Sequence, residues 1–119
     1  MTQLGWHWIF DAWGVARATI DDVAALERIL LVLPARLELT AVSRPQLFEQ
    51  QGEPRSTAGI VLLAESHLSL HAFPDRGLLH GDLFSCKVFD VPFARRCLEE
   101  LIGPCRLVDR VLDRGTMRP

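Results

Sequence analysis

The stretch Ala64-Glu65-Ser66-His67-Leu68-Ser69-Leu70-His71-Ala72-Phe73-Pro74-Asp75, followed by Gly81-Asp82-Leu83-Phe84-Ser85-Cys86, sets histidines, hydroxyls, carboxylates and a thiol among apolar residues of strand type. Unpaired polar groups in such surroundings cost roughly 1–3 kcal/mol each, so a chain that keeps them is expected to use them. One chemistry open to these types is metal binding: His67, His71, His80, Asp82 and Cys86 all suit zinc. On a strand, however, His67 and His71 stand about 13 Å apart, too far to share one ion, and no metal is expected. The other is an activated serine or cysteine nucleophile beside a histidine base. No G-x-S-x-G elbow marks a conventional hydrolase. A lone histidine or cysteine here would read as a strand residue satisfied by its neighbours, as Cys97 and Cys105 do; the cluster as a whole points to chemistry.

The series Glu65-Ser66-His67, then His71, then Asp82-Leu83-Phe84-Ser85-Cys86 resembles the bacterial and archaeal class of S-adenosylmethionine decarboxylase, a small pyruvoyl enzyme made as a self-cleaving proenzyme. The likeness extends to Gly5-Trp6-His7, Gly14, the helix start at Asp90 and Arg114-Gly115, so it spans nearly the whole chain. The resemblance implies that the Ser66 hydroxyl attacks the carbonyl of Glu65 and converts the peptide to an ester. β-Elimination then leaves a pyruvoyl group, derived from Ser66, at the head of chain 66–119, and Glu65 ends chain 1–65. By the same resemblance His71 assists proton transfer in the elimination, a role suited to an imidazole. The pyruvoyl carbonyl is expected to act through Schiff-base chemistry with the substrate amine, and Cys86 to return a proton to the substrate α-carbon. Phe73, Asp75 and, by a looser alignment, Phe48 are the expected substrate-binding residues. The implied product is decarboxylated S-adenosylmethionine, the aminopropyl donor for spermidine. Ser66 and His71 are five residues apart, so an unbroken strand points them to opposite faces; a turn or bulge at Glu65-Ser66 is expected to let them meet.

The chain departs from the family pattern at three places. Ala58 stands where a processing serine is common, Phe73-Pro74-Asp75 replaces Trp-Pro-Glu, and Lys87 replaces the glycine after the cysteine. The shortened acid at Asp75 sits where ribose hydroxyls would be held, which leaves ornithine or arginine as alternative substrates of the same chemistry. An inactive paralogue that regulates a true decarboxylase is an alternative of another class; retention of Ser66, His71 and Cys86 argues against it.

These residues need a frame. Trp6 to Trp13 reads as a strand stopped by Gly14. Thr19 and Asp22 open a helix whose Val23, Leu26, Leu30 and Leu33 share a face, with Pro34 expected to stop it. Leu37 to Ser43 alternates like a strand, and 44–58, with Pro45, Gly52 and Pro54, reads as a mobile loop. Strands follow at about 60–65, 67–73 and 79–88. Asp90 and Pro92 begin a second helix with Ala94, Cys97, Leu98 and Leu101 inward, closed by Gly103-Pro104, and Arg106 to Leu112 forms the last strand. The order β-α-β-β-β-β-α-β predicts an α+β two-layer sandwich: a largely antiparallel sheet with two helices on one face. Strands apolar on both sides call for a second cover, which a homodimer, or a higher assembly, packed as α/β/β/α would provide.

The 119 residues suffice for a single domain. With 49% hydrophobic and 24% charged residues the chain should fold. Thirteen basic against fifteen acidic residues give a net charge of −2, which offers no footprint for nucleic acid and no polybasic segment for a membrane. Three cysteines without a C-x-x-C pair, and no signal-peptide pattern, fit a reducing, cytoplasmic setting.

Overall fold

The computed structural model describes residues 4–115. Strand β1 (Gly5–Trp13) is followed by a four-residue helix α1 (Arg17–Ile20) and the long helix α2 (Val23–Arg36). Then come β2 (Gln46–Gln50), β3 (Ser56–Leu63), β4 (Ser66–Phe73), a 3-10 turn (Pro74–Arg76), β5 (Leu78–Ser85), α3 (Val91–Ile102) and β6 (Arg106–Arg114). The six strands form one antiparallel sheet in the order β2-β3-β4-β5-β1-β6.

Alternation decides which face is covered. Trp8, Phe10 and Ala12 of β1, Val61 and Leu63 of β3, Leu68, Leu70 and Ala72 of β4, and Leu79 and Leu83 of β5 are buried. They form one core with Leu26, Ile29, Leu30 and Leu33 of α2 and Ala94, Cys97, Leu98 and Ile102 of α3. The expected two-layer arrangement, with both main helices on one face, is the one observed. Phe10 can lie across its neighbour strand because position 81 is glycine: a β-carbon there would come within 2.1 Å of the ring. The indole N–H of Trp8 donates to Asp109 at 2.9 Å, and Arg95 of α3 pairs with the same carboxylate, so the polar atoms entering the core are satisfied.

Both main helices start at an aspartate cap: Asp22 accepts from the Ala24 amide and Asp90 from the Phe93 amide. Pro34 does not stop α2; it lies in the last turn, and the helix continues to Arg36. Two further expectations are corrected. Residues 37–43 are not a strand: Leu37 and Leu39 are buried as the alternation implies, but Glu38 adopts φ 60° between them, and only Ala41 bridges to Leu63. Residues 44–58 are not a loop throughout, because Gln46–Gln50 pairs with β3 as the sheet's edge and β3 already begins at Ser56. Among the described residues no helix is long and apolar enough to cross a membrane.

Candidate active site

The sheet face opposite the helices carries all four histidines of the chain, and strand register arranges them in rows. The first row runs Leu62, His67, Phe84, His7, Leu112. The second runs Ile60, Ser69, Asp82, Ile9, Arg110, and the third Phe48, Ala58, His71, His80, Asp11, Val108. Diagonal neighbours in adjacent rows are within side-chain reach. Asp82 therefore sits at a convergence: its Oδ2 is 2.7 Å from His7 Nε2 and 2.9 Å from His67 Nε2, and its Oδ1 accepts from the Ser69 hydroxyl. Burial pushes the Asp82 carboxyl up, but the hydrogen bonds from Ser69, His7 and His67 outweigh it and hold the group below the ordinary carboxylate value. Asp82 is a carboxylate. Ligand atoms of His7, His67 and Asp82 lie within 4.8 Å of one another, a grouping that could hold a metal ion; in this structure they bond to each other.

Beside this network is the tight connection of β3 to β4, where Leu63 pairs with Ser66 across the two-residue turn Ala64-Glu65. Three contacts fix the Glu65–Ser66 peptide. The Cys86 amide donates to the Glu65 carbonyl oxygen at 2.9 Å, the Thr40 amide donates to the Glu65 side chain at 3.0 Å, and Ser66 Oγ lies 3.3 Å from His67 Nδ1. The Cys86 amide is aimed by the buried Ser85, whose hydroxyl donates to the Lys87 carbonyl at 2.6 Å and accepts from the Lys87 amide at 3.0 Å. Residues 40–42 strap the same turn, with the Ala64 amide on the Thr40 carbonyl and the Val42 amide on the Leu62 carbonyl. One peptide bond thus has a hydroxyl on its C-terminal residue, an imidazole on that hydroxyl, and an N–H on the oxygen that becomes negative under attack.

Residues 6–115 match the family model described as S-adenosylmethionine decarboxylase. The chain belongs to the S-adenosylmethionine decarboxylase family. It is similar to the S-adenosylmethionine decarboxylase proenzyme of Geobacillus kaustophilus, 30% identical over 119 residues, covering 100% of this chain and 93% of that protein. The proenzyme of Thermoplasma acidophilum is 34% identical over 117 residues, covering 96% and 86%. The crystal structure of the adenosylmethionine decarboxylase of Aquifex aeolicus superposes with a TM-score of 0.81 at 30% identity, covering 99% of this chain and 96% of that one.

Within this family fold, the residues expected from sequence fall into two groups. Glu65, Ser66 and Cys86 meet at the β3–β4 turn. His71 does not join them: β4 is paired without interruption with β3 from Ser66 to Ala72 and with β5 from Ser66 to Phe73, so no bulge brings His71 round, and the two residues are about 17 Å apart along the strand. His71 instead lines a groove of about 450 Å³ with Phe48, Ala58, Ile60 and Ser69. Its ring packs on Phe73 at 4.5 Å between centroids. Partial desolvation, and then the neighbouring His80, push the His71 imidazole below its ordinary value, so it is neutral near pH 7. Phe48 is 66% exposed at the groove's rim. Asp75 does not line the groove; its carboxylate pairs with Arg17 at 2.9 Å and Arg55 at 3.3 Å. Cys97 is buried in the core and Cys105 partly so, as expected of structural thiols. Sequence reading had no signal for Thr40, and took His7 and Ser85 only as parts of motifs. The alternation of His7, Ile9 and Asp11 against Trp8, Phe10 and Ala12 puts His7 on the open face, but its pairing with Asp82 follows from register alone.

Proposed function

We propose that this chain is a self-processing, pyruvoyl-dependent decarboxylase of S-adenosylmethionine, cut between Glu65 and Ser66 and supplying decarboxylated S-adenosylmethionine for spermidine synthesis. The observation that carries the reading is the Glu65–Ser66 peptide itself, held in a tight turn with the Cys86 N–H on its carbonyl oxygen and the Ser66 hydroxyl beside His67 Nδ1. Ser66 therefore fits the origin of a pyruvoyl group, and chain 66–119 would carry it. A pyruvoyl group supplies a carbonyl that captures the substrate amine and accepts the electron pair left by departing carbon dioxide. Cys86, exposed and bonded through its amide to the Glu65 carbonyl oxygen, is the group we assign to return a proton to the substrate.

Substrate binding is assigned to the open face. Phe48 and His71 occupy one row on either side of Ala58, about 10 Å apart across two strand spacings, and the small floor between them suits a flat heterocycle stacked against aromatic rings. Phe73 supports the His71 ring from behind. Asp75 would reach ribose hydroxyls only by leaving Arg17 and Arg55.

The 17 Å between Ser66 and His71 bears on assembly. If His71 serves the elimination at Ser66, it must come from a second copy, and the open face is suited to a homodimer packed sheet on sheet. That face exposes Phe48, Ile60, Leu62 and Val108 beside its polar network. A histidine of the partner subunit would then complete a site whose nucleophile and thiol come from the first.

Intact-mass measurement of purified protein tests the reading: fragments 1–65 and 66–119 are expected, with Ser66→Ala remaining one inactive chain. Carbon dioxide release from S-adenosylmethionine, measured against ornithine and arginine, tests the substrate. A wild-type chain that never cuts removes the proposal.

A further inference from the structure

The hydrogen-bond network at Asp82 fixes where protons reside, and this has a chemical use at Ser66. Arg114 Nη1 lies 2.8 Å from His7 Nδ1, and a guanidinium only donates, so His7 Nδ1 is an acceptor. The His7 proton is then on Nε2 and is given to Asp82 Oδ2. Ser69 gives its hydroxyl proton to Oδ1. A carboxylate with donors on both oxygens accepts only, so the remaining contact, at His67 Nε2, is also a donation from the imidazole. A neutral His67 with its proton on Nε2 has a lone pair on Nδ1. That atom faces the Ser66 hydroxyl.

We infer that His67 is the general base for the first step of self-processing, held in the required tautomer by Asp82 as positioning residue. The inference rests on the self-cleavage proposed above. Nδ1 of His67 takes the Ser66 Oγ proton as Oγ bonds to the Glu65 carbonyl carbon, and the Cys86 N–H holds the oxygen that becomes negative. The C–N bond then breaks, and the Ser66 nitrogen receives the proton from His67 and becomes an amine. Glu65 is now joined to Ser66 through an ester, and His67 is neutral again. The arrangement of hydroxyl, imidazole and carboxylate is that of a nucleophile, base and orienter, here turned on the chain's own backbone. It also separates two tasks. His67 serves the acyl shift within its own protomer, while elimination requires loss of the Ser66 α-proton, which His67 in this geometry does not address.

Esters are cut by hydroxylamine at neutral pH and amides are not, so the shift can be read apart from the elimination. Freshly translated full-length chains would be followed by intact mass with and without hydroxylamine. In the His71→Ala background, where elimination is blocked, the expected result is hydroxylamine cleavage at residue 65. Adding His67→Gln or Asp82→Asn should slow its appearance at least ~100-fold, and imidazole should restore it in part to His67→Ala. Thermal melts of the same proteins separate loss of fold from loss of the base, and His67→Gln keeps the side chain's bulk if His67→Ala melts early. Ester forming at the parental rate without His67 would overturn the inference. So would cleavage that stops with a chelator and returns with zinc, since the cluster would then be an ion site and His67 would have no free lone pair. A wild type that never cuts is a different failure, of the parent reading.

Discussion

If His71 acts on Ser66 at all, two inactive chains should rescue each other. Along β4 the two residues are separated by five positions, about 17 Å, whereas proton transfer needs contact near 3 Å. Motion of the strand cannot make up about 14 Å, because every residue of β4 is paired with β3 or β5 and the strand is central in the sheet. The perturbation is a pair of variants: Ser66→Ala, which has no nucleophile, and His71→Ala, which has no base for elimination. Each alone should remain uncut. Co-expressed with different tags at equal levels, random pairing puts about half of the His71→Ala chains into mixed dimers, each lending His71 from its Ser66→Ala partner. Intact mass should then show about half of the His71→Ala chains cut at Glu65–Ser66 and none of the Ser66→Ala chains. Tag pull-down establishes that mixed dimers are present. Mixed dimers without cleavage, or His71→Ala cutting alone at the wild-type rate, would refute the reasoning.

Other outcomes follow from particular contacts. Ala58 is paired directly with His71, so Ala58→Ser places a hydroxyl beside the imidazole and should shorten the half-time of cleavage, read by intact mass. If Asp75 leaves Arg17 and Arg55 to hold ribose hydroxyls, Asp75→Asn should raise KM for S-adenosylmethionine severalfold with the extent of cleavage unchanged, and an unchanged KM removes Asp75 from substrate binding. Gly81→Ala drives a methyl into the Phe10 ring and should lower stability by about 1–3 kcal/mol, measured by denaturant titration. His71 sits below the ordinary histidine value of 6.5, so the unfolded chain takes up a proton first as the pH is lowered. Stability should be full above that value and decline as pH falls from 6.5 through the depressed folded value, and elimination should persist somewhat below pH 6.5; a His71→Ala melt lacking this limb assigns it.

Much of the frame was legible because its signals are local. Both long helices announce themselves by an aspartate cap and an apolar stripe, and β3 to β5 by short apolar runs between turns. The error at 37–43 came from reading burial as strand: Leu37 and Leu39 are core residues, but they leave α2 as irregular chain through a left-handed Glu38. The strand at 46–50 was hidden because an edge strand bears polar residues on most positions, and Gln, Glu and flanking prolines read as loop. At the site, residue types marked a polar cluster, the family resemblance assigned Ser66 and Cys86, and Asp82 stood only among possible zinc ligands. What Asp82 does depends on three partners brought from positions 7, 67 and 69 by strand register, which no single-chain periodicity contains. The separation of Ser66 and His71 was half legible: parity showed that they diverge, and only the uninterrupted pairing of β4 shows that nothing brings them back.

The strand order has an outcome for a protein cut as proposed. A break after Glu65 would assign β1, β2 and β3 to one fragment and β4, β5 and β6 to the other, yet in the sheet β1 is threaded between β5 and β6. The fragments would share three seams, β3 with β4, β5 with β1 and β1 with β6, and neither could leave without dismantling the other's half of the sheet. Native, they would stay interlocked without a covalent link. Once denatured, they would have to find each other again in solution, so a fold first reached by one molecule alone would become a two-body problem that dilution makes harder.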